Sequence, residues 1–211
     1  TMVPHIENGK VIVESFSWVP ALGVHLSFLL DGISALVGMI VSGIGALIVI
    51  YTGGYLRGHE QISRMYALLL FFMASMLGVV LSANLIGLIV FWELTSISSY
   101  LLIGFYHERM SSRAGALQAL LVTGSGGLAM LAGFALVAKI TGSFEISHWI
   151  AGSAAISEHP LAPAAFLLVL AGACTKSAQF PFHFWLPNAM EAPAPVSAYL
   201  HSATMVKAGV Y

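Results

Sequence analysis

Leu85-Ile86-Gly87-Leu88-Ile89-Val90-Phe91-Trp92-Glu93-Leu94-Thr95-Ser96-Ile97-Ser98-Ser99-Tyr100-Leu101-Leu102-Ile103-Gly104-Phe105-Tyr106 is an apolar run with a single carboxylate inside it. At about 1.5 Å of helical rise per residue, such a run crosses a hydrocarbon core of roughly 30 Å. Glu93 then sits near the midplane, with Ser96 and Tyr100 on the same helical face. A charge at that depth costs about 2.5–3.5 kcal/mol on insertion scales. A chain keeps it where the protein offsets the cost, most often on an ion or proton pathway.

The rest of the chain has the same character. It is 58% hydrophobic and 8% charged over 211 residues, with a mean hydropathy of +0.90. Soluble domains carry about 25% charged residues, so this is an all-α polytopic membrane protein. Besides 85–106, the apolar runs predict spanning segments near 26–51, 65–82, 114–138, 161–186 (interrupted at Pro181) and 196–211. Residues 1–25 are mixed, and their partial alternation over Val11–Trp18 predicts a short surface hairpin. The first residue is Thr, and the last run has only about 16 residues where a span needs about 20, so a fragment of a longer chain is expected.

Loop charge orients the segments. Arg57 and Arg64 lie in one loop and Arg109 and Arg113 in another, against Lys10 and Lys139 on the opposite side. The positive-inside rule places the arginine loops in the cytoplasm and the hairpin outside. A net charge of −1 gives no sign of a nucleic-acid partner. Cys174 is the single cysteine, and no Cys/His set has metal-ligand spacing. No nucleotide-binding or nucleophile motif is present, so neither metal nor cofactor is expected.

Two further charges lie in apolar runs. Lys176 has Gly172, Gln179 and His183 at helical spacing, and Pro181 removes a backbone donor just beyond it. Irregular backbone at membrane depth survives where it is buried in protein or lines a wet cavity, and broken helices beside charges mark transport sites. Ser197, His201, Thr204 and Lys207 form a polar stripe on the last segment. Unperturbed histidine titrates near neutrality, which suits a proton relay. Lys139 and the histidines at 25, 59, 107, 148 and 159 sit in loops or at interfaces and read as solvated. Gly124, Gly126, Gly127 and Gly133 predict close helix packing. The Met and aromatic residues read as packing or lipid-facing groups.

The strings Phe91–Ser96, Ser99–Phe105, Lys176–Pro187 and Pro193–Lys207 resemble the antiporter-like family. That family includes the large subunits of Mrp-type cation/proton antiporters and the proton-pumping membrane subunits of complex I, and the resemblance runs from Leu26 onward. It implies a bundle of fourteen or more helices built on inverted repeats with a broken helix, the segments here being its third to eighth. It also implies a Glu93–Lys176 ion pair and a relay through His201 and Lys207. Leu94 in the Glu93 motif, Gly124-Ser125-Gly126-Gly127 in place of a family arginine, and Lys207 in place of a threonine point to the Mrp branch.

The expected function is therefore a proton-translocating subunit of a multisubunit Na+ or K+/H+ antiporter in a bacterial inner membrane. Its partners would be the other antiporter subunits, H+ and Na+ or K+, and the lipid bilayer. Two other readings stay open. One is a proton-pumping membrane subunit of a complex I-like NADH:quinone oxidoreductase or a related redox-driven complex; the other is a scaffold whose charges only join helices.

Overall fold

The computed structural model describes residues 12–19 and 24–211. The parts of the expected hairpin at 1–11 and 20–23, Lys10 among them, lie outside the described residues. Strands β1 (Ile12–Val19) and β2 (Val24–Leu30) pair antiparallel, with Ile12 opposite Leu30 and Ser15 opposite Ser27. The first helix, α1, spans Gly32–Tyr55. The hairpin therefore runs about five residues past the expected boundary at 25/26. The apolar stretch Leu26–Leu30 is taken up by strand pairing, and Asp31 starts the helix through a reciprocal cap. Its carboxylate accepts from Ser34 N at 2.8 Å while Ser34 Oγ accepts from Asp31 N at 2.7 Å.

The Ser34 backbone N–H holds the Asp31 carboxyl below the ordinary carboxylate range. This cap's contribution is in place above the unfolded carboxylate value and is lost as pH falls through the lower folded one.

Three further long helices follow: α2 (Ile62–Leu81), α3 (Leu85–Ile103) and α4 (Met110–Thr141). By length and composition α1 to α4 can each cross a membrane. α4 exceeds the predicted 114–138 at both ends and stops at Gly142, whose φ of 72° is the left-handed conformation glycine adopts freely. The short helices α5 (Ile146–Ala151) and α6 (Ser153–Glu158) lead to α7 (Ala162–Lys176). At 15 residues, α7 is about 22 Å long and falls short of a full span. A 3₁₀ turn (Phe182–Phe184), α8 (Trp185–Ala189) and α9 (Ala194–Ser197) follow, then a π-helical turn (Ala198–Ala203) and α10 (Met205–Ala208).

A clamp on the hairpin side closes the bundle. Asn84 caps α3 by accepting from Ile86 N and Gly87 N, and its amide donates to Glu145 Oε1 at 2.7 Å. Ser27 Oγ donates to the same oxygen at 3.0 Å, and Leu85 N donates to Phe144 O. β2, the α2–α3 turn and the α4–α5 loop thus meet on one carboxylate oxygen, Glu145 Oε1. Asn84→Ala removes a cap and a charge-assisted hydrogen bond together, an expected loss of about 2 kcal/mol. A lowered thermal midpoint of the detergent-solubilised protein checks this.

α4 and α7 pack closely against each other. Gly126 faces Thr175, Gly133 faces Val169 and the Ala165 carbonyl, and Gly172 faces the Gly126 carbonyl and Met130. Small residues let the two backbones approach, as in helix pairs packed within lipid. This seam sets the depth of Lys176, the last residue of α7.

Candidate functional site

Lys176 is fully buried, with no solvent exposure. Its Nζ donates to Trp92 O at 3.0 Å and to Ser96 Oγ at 2.7 Å, and lies 4.9 Å from the centre of the Trp92 ring. Ser96, predicted on the face of Glu93, thus serves the lysine. The two acceptors match the two N–H bonds of a neutral amine and fall one short of the three of an ammonium. The indole face meets the rest of the headgroup, an arrangement favourable to a cation.

Glu93 is half-buried on α3 beside these groups. Its Oε1 is shielded from solvent and has no hydrogen-bond partner. α4 is notched to hold it: a Cβ at Gly127 would collide with Oε1, and one at Gly124 would stand 4.0 Å from Oε2. The structure brings Glu93 and Lys176 into one site but does not join them in a hydrogen-bonded pair, since Lys176 spends its bonds on Trp92 and Ser96.

The helix break falls at Lys176, five residues before Pro181. Ala178 adopts a left-handed φ of 49°, and Gln179 N reaches back to Cys174 O at 2.9 Å, closing the helix end. The freed carbonyls find other donors. Trp185 Nε1 donates to Thr175 O at 3.0 Å, and Gln179 Nε2 approaches Ser177 O at 3.4 Å. Ser177 Oγ donates to Val206 O at 2.8 Å, tying the break to the last segment. Because the helix stops here, the spacing argument for Gln179 and His183 fails; Gln179 is exposed, and so is His183 in the following 3₁₀ turn.

His201 lies in the π-helical turn. Both ring nitrogens are buried without a partner, and the ring sits 6.3 Å from Trp185. Trp185 thus connects His201 to the carbonyl next to Lys176. Lys207 is exposed on α10 and is not gathered with the other three. The stripe assumed 3.6 residues per turn through 197–207, but residues 198–203 are π-helical and Thr204 leaves the helix at φ −133°, ψ −77°. That shift changes the face on which residue 207 emerges.

Trp92 is the site residue that sequence reasoning missed, having set the aromatic residues aside as packing groups. The available signal was its position four residues before Ser96, on the same helical face.

A family profile described as NADH:quinone oxidoreductase/Mrp antiporter, TM, matches residues 82–211. Residues 17–66 match the profile of the N-terminus of complex I chain 5. The whole chain is similar to the A/B subunit of a probable K+/H+ antiporter of Rhizobium meliloti, 52% identical over 210 residues. It is also similar to the A1 subunit of an Na+/H+ antiporter of Staphylococcus aureus, 50% identical over 211 residues. The chain spans 21% and 26% of the lengths of those two relatives. Among solved structures, the Mrp complex from Dietzia sp. superposes at a TM-score of 0.89 with 41% identity, over all of this chain and 23% of that one. The archaeal membrane-bound sulfane sulfur reductase superposes at 0.81 with 23% identity, over all of this chain and 32% of that one, and so shares the fold. With a profile over residues 82–211 and half-identical relatives along its full length, the chain belongs to the NADH:quinone oxidoreductase/Mrp antiporter transmembrane family.

Proposed function

We propose that this chain is the proton-carrying part of the large, A-type subunit of a multisubunit Na+ or K+/H+ antiporter in a bacterial inner membrane, a transporter component rather than an enzyme. The observation that carries the reading is Lys176. It is a buried amine at a helix break, held by one carbonyl and one hydroxyl and flanked by a carboxylate with an unpartnered oxygen. The antiporter names of the half-identical relatives support the same branch.

In the proposed mechanism Lys176 holds the proton. Glu93 moving toward the amine favours the charged form, and Glu93 moving away favours release, because an isolated charge in a low-dielectric site is costly. His201, across Trp185, is the next station and Lys207 a later one. Each tenfold change in the protonation equilibrium corresponds to about 1.4 kcal/mol, so small displacements of Glu93 suffice to switch the lysine. The other antiporter subunits and the coupled Na+ or K+ complete the cycle.

The test uses everted vesicles from antiporter-deficient cells expressing the full-length protein with its operon partners. A respiration-generated pH gradient is followed on adding Na+, then K+. Cation-dependent collapse is expected in wild type and absent in Lys176→Ala. Normal collapse in Lys176→Ala would overturn the mechanism, and no collapse in a well-expressed wild type would move the chain to the redox-driven branch.

A further inference from the structure

Glu93 reaches from α3 into a gap in the wall of α4. A Cβ at Gly127 would collide with Glu93 Oε1 and stand 3.0 Å from Cδ, so a side chain there would occupy the carboxylate's own place. Gly124, three residues earlier on the same face, leaves Oε2 clear at 4.0 Å. Glycine is a poor helix former, yet α4 keeps both, while Gly126 beside them faces a different partner, Thr175 of α7. The N–H groups of a helix interior are spent within the helix, so the gap offers Oε1 space without a donor. Buried polar groups nearly always have a hydrogen-bond partner. Oε1 has none; its place is set by shape, and it leaves without breaking a hydrogen bond.

We propose that this notch is the seat of the withdrawn carboxylate, and that Gly127 is the positioning residue that defines it. The proposal rests on the reading of Lys176 as the proton carrier. In the seat, Glu93 is not bonded to the amine, which holds Trp92 O and Ser96 Oγ instead. Gly127 acts only through Glu93: its missing side chain sets how far the carboxylate retreats from Lys176.

The charges around Glu93 give the direction of the effect. α2 carries Arg64 and Tyr66 in its first turns, and α4 carries Arg113 near its start and Lys139 near its end. β2 carries His25 and α3 itself carries Tyr100. Lys176 of α7 is the charge that acts on the carboxylate. With the seat filled, the carboxylate must leave α4, and attraction draws it to the amine. Lys176 then keeps its proton longer, and release slows.

The test is a double-mutant cycle in the full-length complex, in everted vesicles, with rates taken per assembled complex on native gels. Gly127→Ala is expected to slow cation-dependent proton movement on the order of ten-fold at neutral pH. Its rate optimum is expected to move about one pH unit alkaline, the equivalent of a ten-fold tighter hold on the proton. Glu93→Asp draws the carboxylate back by one methylene and leaves the new methyl its room. Adding Gly127→Ala to Glu93→Asp is therefore expected to cost less than about two-fold. The 3.3 Å approach to Trp92 Cδ1 is common to both backgrounds and cancels in the cycle. Ser125→Ala, an exposed change on the same helix, is the control and should leave rate and optimum in place. Equal losses from Gly127→Ala in both backgrounds would overturn the seat, as would a lower rate with an unmoved optimum, since a packing fault has either signature. Wild-type behaviour of Gly127→Ala would overturn it too. If Gly127→Ala fails to assemble, assembly becomes the readout: recovery in the Glu93→Asp background upholds the seat, and no recovery removes it. Normal transport by Lys176→Ala would instead sink the carrier reading and leave the coupling between positions 93 and 127 standing, so the two failures are distinguishable.

Discussion

Lys176→Arg is expected to stop proton movement as completely as Lys176→Ala, while the complex assembles to wild-type levels. Arginine keeps a positive charge and supplies donors to Trp92 O and Ser96 Oγ, the two partners Lys176 uses. Any role as a fixed counter-charge or helix clip would survive the change. A role as carrier would not, because the carrier must lose its proton in each cycle. The ordinary guanidinium value lies about 2–3 units above that of lysine, which slows release by on the order of 100-fold or more. The measurement is the cation-dependent pH collapse in everted vesicles, with complex assembly followed on native gels. Wild-type transport by the arginine variant would make Lys176 structural, and the unpaired Glu93 carboxylate would then need another explanation.

The arginine variant also separates two descriptions of the Glu93 site. A permanent ion pair would make the carboxylate a clamp, and a clamp tolerates arginine. In the structure the amine is bonded instead to a helix carbonyl and a hydroxyl, with the carboxylate alongside in its glycine notch. That leaves the carboxylate free to approach or withdraw without breaking a hydrogen bond of its own through Oε1.

Much of this was legible in the sequence for simple reasons. The apolar runs were long enough to mark α1 to α4, and Glu93 and Lys176 stood out because charge in such runs is expensive. Their meeting came from the family resemblance; no spacing rule joins residues 83 positions apart. The helix end at Lys176 was not legible. Pro181 advertised a break, but the chain turns earlier, where Trp185 and Gln179 supply donors to the released carbonyls. Those partners are tertiary or depend on a left-handed Ala178, and neither leaves a periodic signal. The stripe that aligned Lys207 with His201 was misplaced for a related reason. A helical stripe is a prediction about a uniform helix, and the π-helical turn at 198–203 breaks that uniformity. Trp92 was hidden by chemistry: its carbonyl and ring face make the contacts, and a residue type does not announce either.

Gly172→Val is expected to have the second large effect, this time on stability. A Cβ at Gly172 would stand 2.6 Å from the Gly126 carbonyl oxygen and 2.7 Å from Met130 Cβ, closer than real Cβ atoms come. The first obstacle is backbone, so no side-chain rotation relieves it and α7 must back away from α4. Overpacking of this kind costs about 3 kcal/mol. Gly43→Ala on α1 is the control, since a Cβ there meets nothing within 4 Å and alanine is the better helix former by about 1 kcal/mol. The solubilised protein should melt at a clearly lower temperature with Gly172→Val and no lower than wild type with Gly43→Ala. Equal midpoints for the two variants would mean the α4–α7 seam does not hold the bundle. The consequence reaches the site, because Gly172 lies one turn before Lys176 on α7. Retreat of the helix by about 1 Å would stretch the Nζ bonds of 2.7 and 3.0 Å beyond hydrogen-bonding range. The glycine that lets two helices touch therefore also sets whether the buried amine reaches its partners.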